Sequence, residues 1–492
     1  MKMRSLLGAL LLMTLPAMPV LAENLTPEEI KKLVDEAVEK RLQEYDRREG
    51  TMERREGTAA PAAEPGIGSL PEVGKERRVE QQAPLSFGSS GSGRLIYAKP
   101  FVSFPKAIVG GYFDIQYRAH RNSVLESGRD GGTTNGFDQQ RFVPFIYADI
   151  TEHLKFASEI EIEHGIRATN DVEISLEFAH VDYLVNEKVN LRGGIVLIPL
   201  GKFNLLHDSP LNDLTDRPIV SRLIIPSTMS ETGAGLYGTF YPGRTGKLDY
   251  EVYFTTGPCG YNSDGEPRVT ETGGTKEARQ RKCGSADGLD INNGKAVSGR
   301  LAFSPILGVE VAGSGYFGNQ SATSYNPLSI FAIDWTIQKG PFELIGEAAW
   351  AHARGNSRAI SGNTFQGISP GSLLTGIGTL NPLGLPPERM QGFYIQGNYH
   401  FMPSFLTKLS PKRFGEGSTF TAVIRYDRVN LNLGNKGENG GELEQISFGL
   451  NYRPVEDAVI KMSYQYMPKS LNPNNDQRIH DSAFVISAAT YF

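Results

Sequence analysis

The chain has 492 residues, a formal net charge of −5 at pH 7, 39% hydrophobic residues and a mean hydropathy of −0.30. So small an excess of charge in so long a chain gives no indication of nucleic acid as a partner. The hydropathy resembles that of a soluble protein, but a membrane-spanning β-barrel gives the same value because only alternate residues of each strand face lipid.

Residues 1–22 have the layout of a cleaved secretory signal. Basic residues open the segment, an apolar run extends from Leu6 to Leu15, and a small residue, Ala22, ends it. A membrane anchor is the weaker interpretation, because a spanning helix needs about 20 apolar residues. We therefore expect the mature chain to be exported.

Residues 23–49 predict an amphipathic helix. Thr26 and Glu29 have capping-box spacing. Apolar residues then recur at helical spacing, at Ile30, Leu33, Val34, Ala37, Val38, Leu42 and Tyr45. Such a helix is marginal alone in water, so we predict a coiled coil with copies of itself, with a solvated or docked single helix as the alternative.

Residues 50–94 predict a flexible linker. "RREGT" occurs twice near its start, and "AAPAAEPGIGSLPEVGKERRVEQQAPLSFGSSGSG" has no apolar periodicity. Such a composition cannot bury enough apolar surface to fold.

The chain from 95 to 492 alternates apolar and polar residues, as in "LDYEVYFT" and "QISFGLNYR". The alternation predicts sixteen strands: 107–120, 137–150, 154–164, 172–185, 189–199, 231–241, 247–257, 296–304, 309–318, 329–338, 342–353, 390–401, 418–429, 444–453, 458–466 and 483–492. Most have the ~9 to 11 residues of a membrane-spanning strand.

Long and short connections alternate between these strands, with 402–417 as the exception. This alternation indicates an all-β fold, a 16-stranded antiparallel transmembrane β-barrel over 95–492. The last strand ends on Phe492 and would leave an open, apolar edge unless it pairs with the first strand. An even strand number puts both barrel ends on one side of the membrane.

The signal, the amphipathic strands and the terminal "TYF" together resemble a Gram-negative outer-membrane porin. In that resemblance Phe492 carries the signal read by the barrel-assembly machinery. The stretch "RGGIVLIPLGKFNLLHDSPLNDLTDRPIVSRLIIPSTMSETGAGLYG" resembles the phosphate-selective porins O and P. The N-terminal helix is similar to the periplasmic coiled coils of some trimeric sugar and dicarboxylate porins. These resemblances imply an outer-membrane homotrimer in contact with lipid, without cofactor.

The resemblance also implies that the third long link, 200–230, folds into the barrel and narrows it. Its candidate constriction residues are Lys202, His207, Asp208, Asp213, Asp216, Arg217 and Arg222. Their acids and bases balance, unlike the dense arginines and lysines of the phosphate porins, which disfavours phosphate as the solute. An external loop with solvated charge is the alternative. The adjacent His207 and Asp208 are a weak metal signal, and we predict no metal site.

Strand parity assigns side chains to the pore wall. The candidates are Arg118, Arg141, Arg192, Arg300, Arg425, Lys461, Glu159 and Glu161. Bases predominate on the six strands where the barrel closes, which are the last four and the first two, and acids predominate on the other ten strands. We therefore expect opposed basic and acidic walls that orient charged solutes. The simpler interpretation is that lumen faces need solvating.

Cys259 and Cys283 lie in one polar, glycine-rich stretch and are predicted to form a disulfide in an oxidising compartment. A metal site is the weaker alternative, since no His accompanies them.

The function predicted is a water-filled channel for passive diffusion of small hydrophilic, charged solutes or ions. A structural tether through the N-terminal helix is one alternative. An enzyme on a barrel is another, which the sequence disfavours because the 8 His residues are scattered and form no HExxH motif.

The predicted coiled coil generates a direct test. Replacing Leu33 and Val38 by Asp places charge in the apolar stripe, so the oligomer in mild detergent should weaken while pore formation persists. Light scattering measures the oligomer. An unchanged distribution would contradict self-association through this helix.

Overall fold

The computed structural model describes residues 107–120, 134–164, 173–260, 268–270, 273–279, 294–320, 325–354, 387–415, 417–434, 441–471 and 478–492. The predicted signal, N-terminal helix and linker lie outside these residues, as does Cys283. Cys259 is disulfide-bonded.

The described residues form sixteen antiparallel strands in one closed barrel. In chain order, β1 to β16 are Ala107–His120, Thr134–Asp149, Leu154–Glu163, Glu173–Leu184, Asn190–Leu197, Ser230–Phe240, Lys247–Thr255, Ala296–Ile306, Val309–Asn319, Pro327–Lys339, Phe342–Ala353, Arg389–Phe401, Thr419–Asn430, Glu442–Val455, Ala458–Leu471 and Arg478–Tyr491. Each strand pairs with its sequence neighbours, and β1 pairs with β16. The predicted all-β antiparallel barrel and its strand number are confirmed, whereas the N-terminal helix of the same prediction lies outside the described residues.

The strands are apolar outside and polar inside, the reverse of a soluble protein. In β7, Val252 and Phe254 are 47% and 59% exposed, whereas Glu251 and Tyr253 are each 1% exposed. Because side chains of a strand alternate between its faces, the exposed apolar residues lie on the outer surface and the buried charges in the lumen. This is the arrangement of a barrel whose outer face contacts lipid.

The seam between the two terminal strands closes completely. Its register runs from Tyr112 opposite Tyr491 to His120 opposite Ala483. Beyond it, Gly111 and Phe492 exchange backbone hydrogen bonds, at 3.2 Å from the Gly111 N–H and 3.0 Å from the Phe492 N–H. The terminal strand therefore has no free edge.

The connections separate into two rims. One rim carries the short links 150–153, 185–189, 241–246, 307–308, 340–341 and 456–457, the segment 402–418, and both barrel ends. The segment 402–418 contains the exposed helix α2, Ser404–Leu409. The opposite rim carries the longer links, including 198–229, which holds a 3₁₀ turn at Ser209–Leu211 and the short helix α1, Val220–Leu223. A second 3₁₀ turn, Lys276–Ala278, follows β7.

An aromatic band follows the short-link rim. Ring centroids lie 5.0 Å apart for Phe342 and Tyr399, 5.5 Å for Tyr399 and Phe401, and 4.7 Å for Phe420 and Tyr452. Such bands occupy the interfaces between hydrocarbon and water around membrane barrels. None of the helices in the described part of the chain is long and apolar enough to cross a membrane.

The closed seam predicts heat-modifiable migration. A barrel with all its strands paired resists detergent unfolding, so unboiled protein should migrate differently from boiled protein on a detergent gel. Protein unfolded in urea before loading is the control and should match the boiled sample. Identical migration of native and boiled protein would contradict closure.

Candidate functional site in the barrel lumen

The link of residues 198–229, here called the inserted loop, runs into the lumen. At its neck the N–H of Ile198 donates to the carbonyl of Met229 at 2.9 Å. Asn204 joins the two sides, since its amide nitrogen donates to the carbonyls of Ile198 and Met229 at 2.8 and 2.9 Å. Its amide oxygen accepts from the N–H of Met229 at 2.7 Å. The loop therefore leaves and returns at one fixed point of the barrel.

The turn after the neck, "PLGKF", fits only glycine at its centre. Gly201 has φ +68°, and a Cβ there would lie 2.4 Å from a carboxylate oxygen of Glu347. That carboxylate accepts a hydrogen bond from the N–H of Phe203 at 3.1 Å, and the N–H of Gly201 donates to the hydroxyl of Ser314 at 2.9 Å. The turn is thus pressed against β11 and β9 without room for a side chain.

The loop then crosses the lumen and reaches the seam. Arg118 of β1 donates to Asp216 at 2.9 Å, Lys461 of β15 donates to the carbonyl of Ser209 at 2.9 Å, and Asp427 of β13 accepts from the N–H of Ile219 at 2.9 Å. Arg425 of β13 donates to the carbonyls of Asp216 and Arg217 at 3.0 and 3.4 Å. Charged groups of the seam-side strands thus hold this part of the loop, whereas Glu347 of β11 holds its first turn.

Asp213 anchors the part of the loop that is nearest the short-link rim. It accepts from Asn398 at 2.8 Å, from Asn451 at 3.2 Å and from Arg453 at 3.3 Å. Arg453 also donates to the carbonyl of Pro210 at 2.7 Å. The side chains of Arg453 and Asp213 are 19% and 12% exposed, so this anchor is among the wetter parts of the site.

The loop's basic residues have different surroundings. Arg217 is 6% exposed, donates to the carbonyl of Ser227 at 2.7 Å and lies 3.9 Å from Glu161. Lys202 contacts the hydroxyl of Thr336 and lies 3.8 Å from Glu310. Arg222, in α1, is partly exposed.

His207 faces two buried carboxyl groups on the wall. Its Nε2 lies 3.0 Å from Glu177 and 3.9 Å from Glu159, and its Nδ1 lies 3.0 Å from the carbonyl of Asn204. Burial alone would lower the pKa of His207, but its interaction and hydrogen bond with Glu177 raise it above the ordinary value. The protonated form of His207 is therefore favoured, with Nε2 facing Glu177.

Asp208 is fully buried beside this group. Tyr491 of β16 donates its phenol proton to Asp208 at 2.8 Å. Burial raises the pKa of Asp208, and the proximity of Glu177 adds to the rise, against the opposing effects of His207 and Tyr491. The residue links the loop to the last strand of the barrel.

The predicted wall residues are all inside the barrel structure, none more than 8% exposed: Arg118, Arg141, Arg192, Arg300, Arg425, Lys461, Glu159 and Glu161. Several are paired along the wall itself. Arg192 donates to both oxygens of Asp182 at 2.8 and 2.7 Å, and Arg300 donates to Asp334 at 2.7 Å.

Sequence parity missed Asp182 and Glu231. The pairing of β3 with β4 shifts between Glu159 and Ile160, and the β4 partners step from Phe178 to Leu176. This bulge at Glu177 reverses the parity that follows it, so that Asp182 turns inward. Glu231 stands at a strand start, where it accepts from Tyr316 at 2.6 Å.

No protein-family model matches the chain. An uncharacterized protein of Aquifex aeolicus (strain VF5) is 28% identical over 362 residues, which are 72% of this chain and 74% of that protein. The anion-selective porin from Comamonas acidovorans superposes with a TM-score of 0.45 and 8% identity, over 78% of this chain and 99% of that one. For the outer membrane channel DcaP of Acinetobacter baumannii the TM-score is 0.46 and the identity 12%, over 80% and 99%. TM-scores this low assign no function to this chain.

The glycine turn predicts a loss of stability on substitution. Gly201→Ala adds both left-handed strain, about 1–2 kcal/mol, and a clash with Glu347. Gly243→Ala is the matched control, because Gly243 has φ +76° with nothing within 4 Å of its Cβ position. The midpoint of heat modification should fall further for Gly201→Ala than for Gly243→Ala. Equal shifts would contradict the close packing of this turn.

Proposed function

We propose that the chain is an outer-membrane porin that conducts small hydrophilic, charged solutes past the inserted loop. The observation that carries this proposal is the crossing of the lumen by a loop that charged groups of the seam-side strands and of β11 hold in place. A sixteen-stranded barrel is wide enough to contain an aqueous channel. A loop fixed inside such a barrel sets the narrowest cross-section.

The charge of the lumen favours cations and zwitterions as solutes. Buried carboxyl groups of β4 to β11 outnumber the arginines that pair with them, Arg192 and Arg300. These carboxyl groups are Glu177, Asp182, Glu231, Asp249, Glu251, Glu310, Asp334 and Glu347. The seam side carries the wall bases Arg118, Arg425 and Lys461, so a transverse field accompanies the acidic excess. Charged linings bias which ions pass.

Assembly into the outer membrane is part of the same proposal. Phe492 stacks on Phe142 with ring centroids 5.7 Å apart, yet remains 58% exposed at the short-link rim. An exposed aromatic terminus that also completes the seam suits recognition by a barrel-assembly machinery. We extend the proposal to a homotrimer with its N-terminal helix in the periplasm, as the sequence predicts.

Single-channel recording in a planar bilayer under asymmetric KCl tests the proposal directly. The full chain should give discrete conductance steps and a reversal potential shifted toward the cation equilibrium potential. Folded, heat-modifiable protein that gives no conductance would contradict a channel and favour the structural tether.

Charge at the constriction predicts the effect of a double substitution. Replacing Arg217 and Arg222 by Ala removes two positive charges from an acidic lumen, so the reversal potential should move further toward cations. The shift should be largest at low salt, where screening is weakest. Lysine at both positions retains the charge and should leave the reversal potential near wild type.

The matched control replaces two exposed basic residues of the short-link rim, Arg244 and Lys412, by Ala. This control should leave selectivity unchanged. If Arg217→Ala/Arg222→Ala also matches wild type in reversal potential and low-salt conductance, the selectivity of the channel lies elsewhere on its wall.

A further inference from the structure

Three ligand-type side chains converge where the inserted loop meets β3 and β4. Glu159 and His207 are 0% exposed and Glu177 is 1% exposed. One side-chain donor atom of each lies within 4.8 Å of the other two. We call these three residues the His207 cluster. It is fully enclosed by protein, which sets it apart from a solvated group of surface acids.

The orientation of His207 fixes which nitrogen faces the carboxyl groups. Its Nδ1 lies 3.0 Å from the carbonyl of Asn204 and can only donate there. The neck contacts of Asn204 keep that carbonyl in place. Nε2 is therefore the atom that faces Glu177 at 3.0 Å and Glu159 at 3.9 Å. A neutral imidazole would direct a lone pair at two carboxylates, which is repulsive unless a cation lies between them.

Side-chain oxygens of Glu159 and Glu177 lie within 4.8 Å of each other and of a ring nitrogen of His207. Carboxylates repel one another at this range in a buried site. A cation bound between them would offset this repulsion, in addition to the positive charge of Arg217 that acts on Glu177. One ion at the centre of the cluster satisfies the imidazole and both carboxylates together.

The surroundings contain polar atoms that lack a hydrogen-bond partner. They are the phenol oxygen of Tyr112 and one carboxylate oxygen of Asp208, and both residues are fully buried. Tyr112 interacts electrostatically with Glu177, Asp208 and Glu159, and also with Arg141. These orphaned atoms indicate that the pocket is completed by something other than the chain.

Hydrogen bonds from outside the cluster orient Glu177 and His207. The hydroxyl of Thr228 donates to the second oxygen of Glu177, and the carbonyl of Asn204 accepts from Nδ1 of His207. Metal-binding histidines almost always donate their other N–H in this way, and ligating carboxylates are themselves hydrogen-bonded. The cluster thus has both the ligands and the outer contacts of a metal site.

We propose that Glu159, Glu177 and His207 bind one divalent transition-metal ion, with Zn²⁺ as the best match, and that this ion pins the inserted loop to the wall. One imidazole nitrogen and two carboxylate oxygens are typical Zn²⁺ ligands, at ~2.0–2.2 Å from the ion. Tetrahedral geometry at that length separates ligands by about 3.3 Å, and the observed 3.0 and 3.9 Å bracket this value. Ca²⁺ is disfavoured because it takes about 6–8 oxygen ligands. The proposal stands whether or not the barrel conducts.

Metal binding is measured on the full chain, refolded in detergent with Zn²⁺ and desalted. Elemental analysis should give one zinc per chain. Refolding with Co²⁺ should give the visible absorption of a nitrogen–oxygen site of low coordination number, without the charge-transfer band of a thiolate.

Zinc binding by substituted chains tests which residues bind the ion. Glu159→Gln and His207→Asn should each weaken Zn²⁺ binding by more than the ~10- to 100-fold that loss of an outer-shell contact costs. His180→Asn is the matched control. His180 of β4 is buried like His207, at 2% exposure, but lies outside the cluster. It should retain one zinc per chain. Glu159→Gln preserves side-chain shape and serves as the test if His207→Asn fails to fold, which heat modification reports.

Two results would overturn the proposal. One is wild-type protein that binds no more zinc than His207→Asn, which would leave buried protons as the shared cation. The other is zinc binding that survives Glu159→Gln in a folded barrel, which would place the ion elsewhere.

Discussion

The inserted loop depends on charged wall side chains that satisfy its backbone. A segment of irregular structure inside a barrel has polar N–H and carbonyl groups that its own turns leave unpaired, and burying them unpaired is costly. Here Lys461 donates to the carbonyl of Ser209 and Arg425 donates to the carbonyl of Asp216. Asp427 accepts from the N–H of Ile219. A hydrogen bond to a charged group contributes about 1.5–3 kcal/mol, so a few such contacts fix the path of the loop.

The charged wall residues that anchor the loop are unevenly distributed around the barrel. On the seam side, Arg118 is paired with Asp216, and Arg425 with Asp427 as well as with loop carbonyls. On the opposite side, carboxyl groups outnumber the arginines that pair with them. Arg118 and Arg425 are therefore committed to holding the loop, and the opposite wall carries an excess of carboxyl groups. Under the proposed function, the residues that fix the loop also set the selectivity of the channel.

The strands could be predicted from sequence because each one exposes an apolar face to lipid and a polar face to the lumen. Period-two alternation reports that difference directly, and the bounds of β1 and β11 match their predictions residue for residue. β14 and β15 extend beyond their predicted bounds, to Glu442–Val455 and Ala458–Leu471. Parity failed at the bulge of Glu177, since one extra residue in a strand leaves no mark in an alternating pattern.

The site was harder to predict than the strands. Sequence pattern and resemblance together identified the loop and its charged residues, but not their partners, because each partner lies on a strand far away in the chain. The clamp made by Asn204 and the approach of His207 to Glu159 and Glu177 had no sequence signal at all. The bends of a loop inside a barrel are set by tertiary contacts. A lone His beside an Asp gives the same sequence pattern in a solvent-exposed loop as in a loop buried in the lumen. The predicted N-terminal helix lies outside the described residues and remains a prediction.

Removal of the inserted loop tests its control of the lumen most directly. β5 and β6 pair up to Leu197 and Ser230, so residues 200–227 can be replaced by a short Gly-Ser turn that preserves the hairpin. Single-channel conductance of a folded, heat-modifiable deletion variant should rise severalfold over wild type, with a weaker dependence of selectivity on salt. A conductance equal to wild type would contradict a loop that narrows the pore.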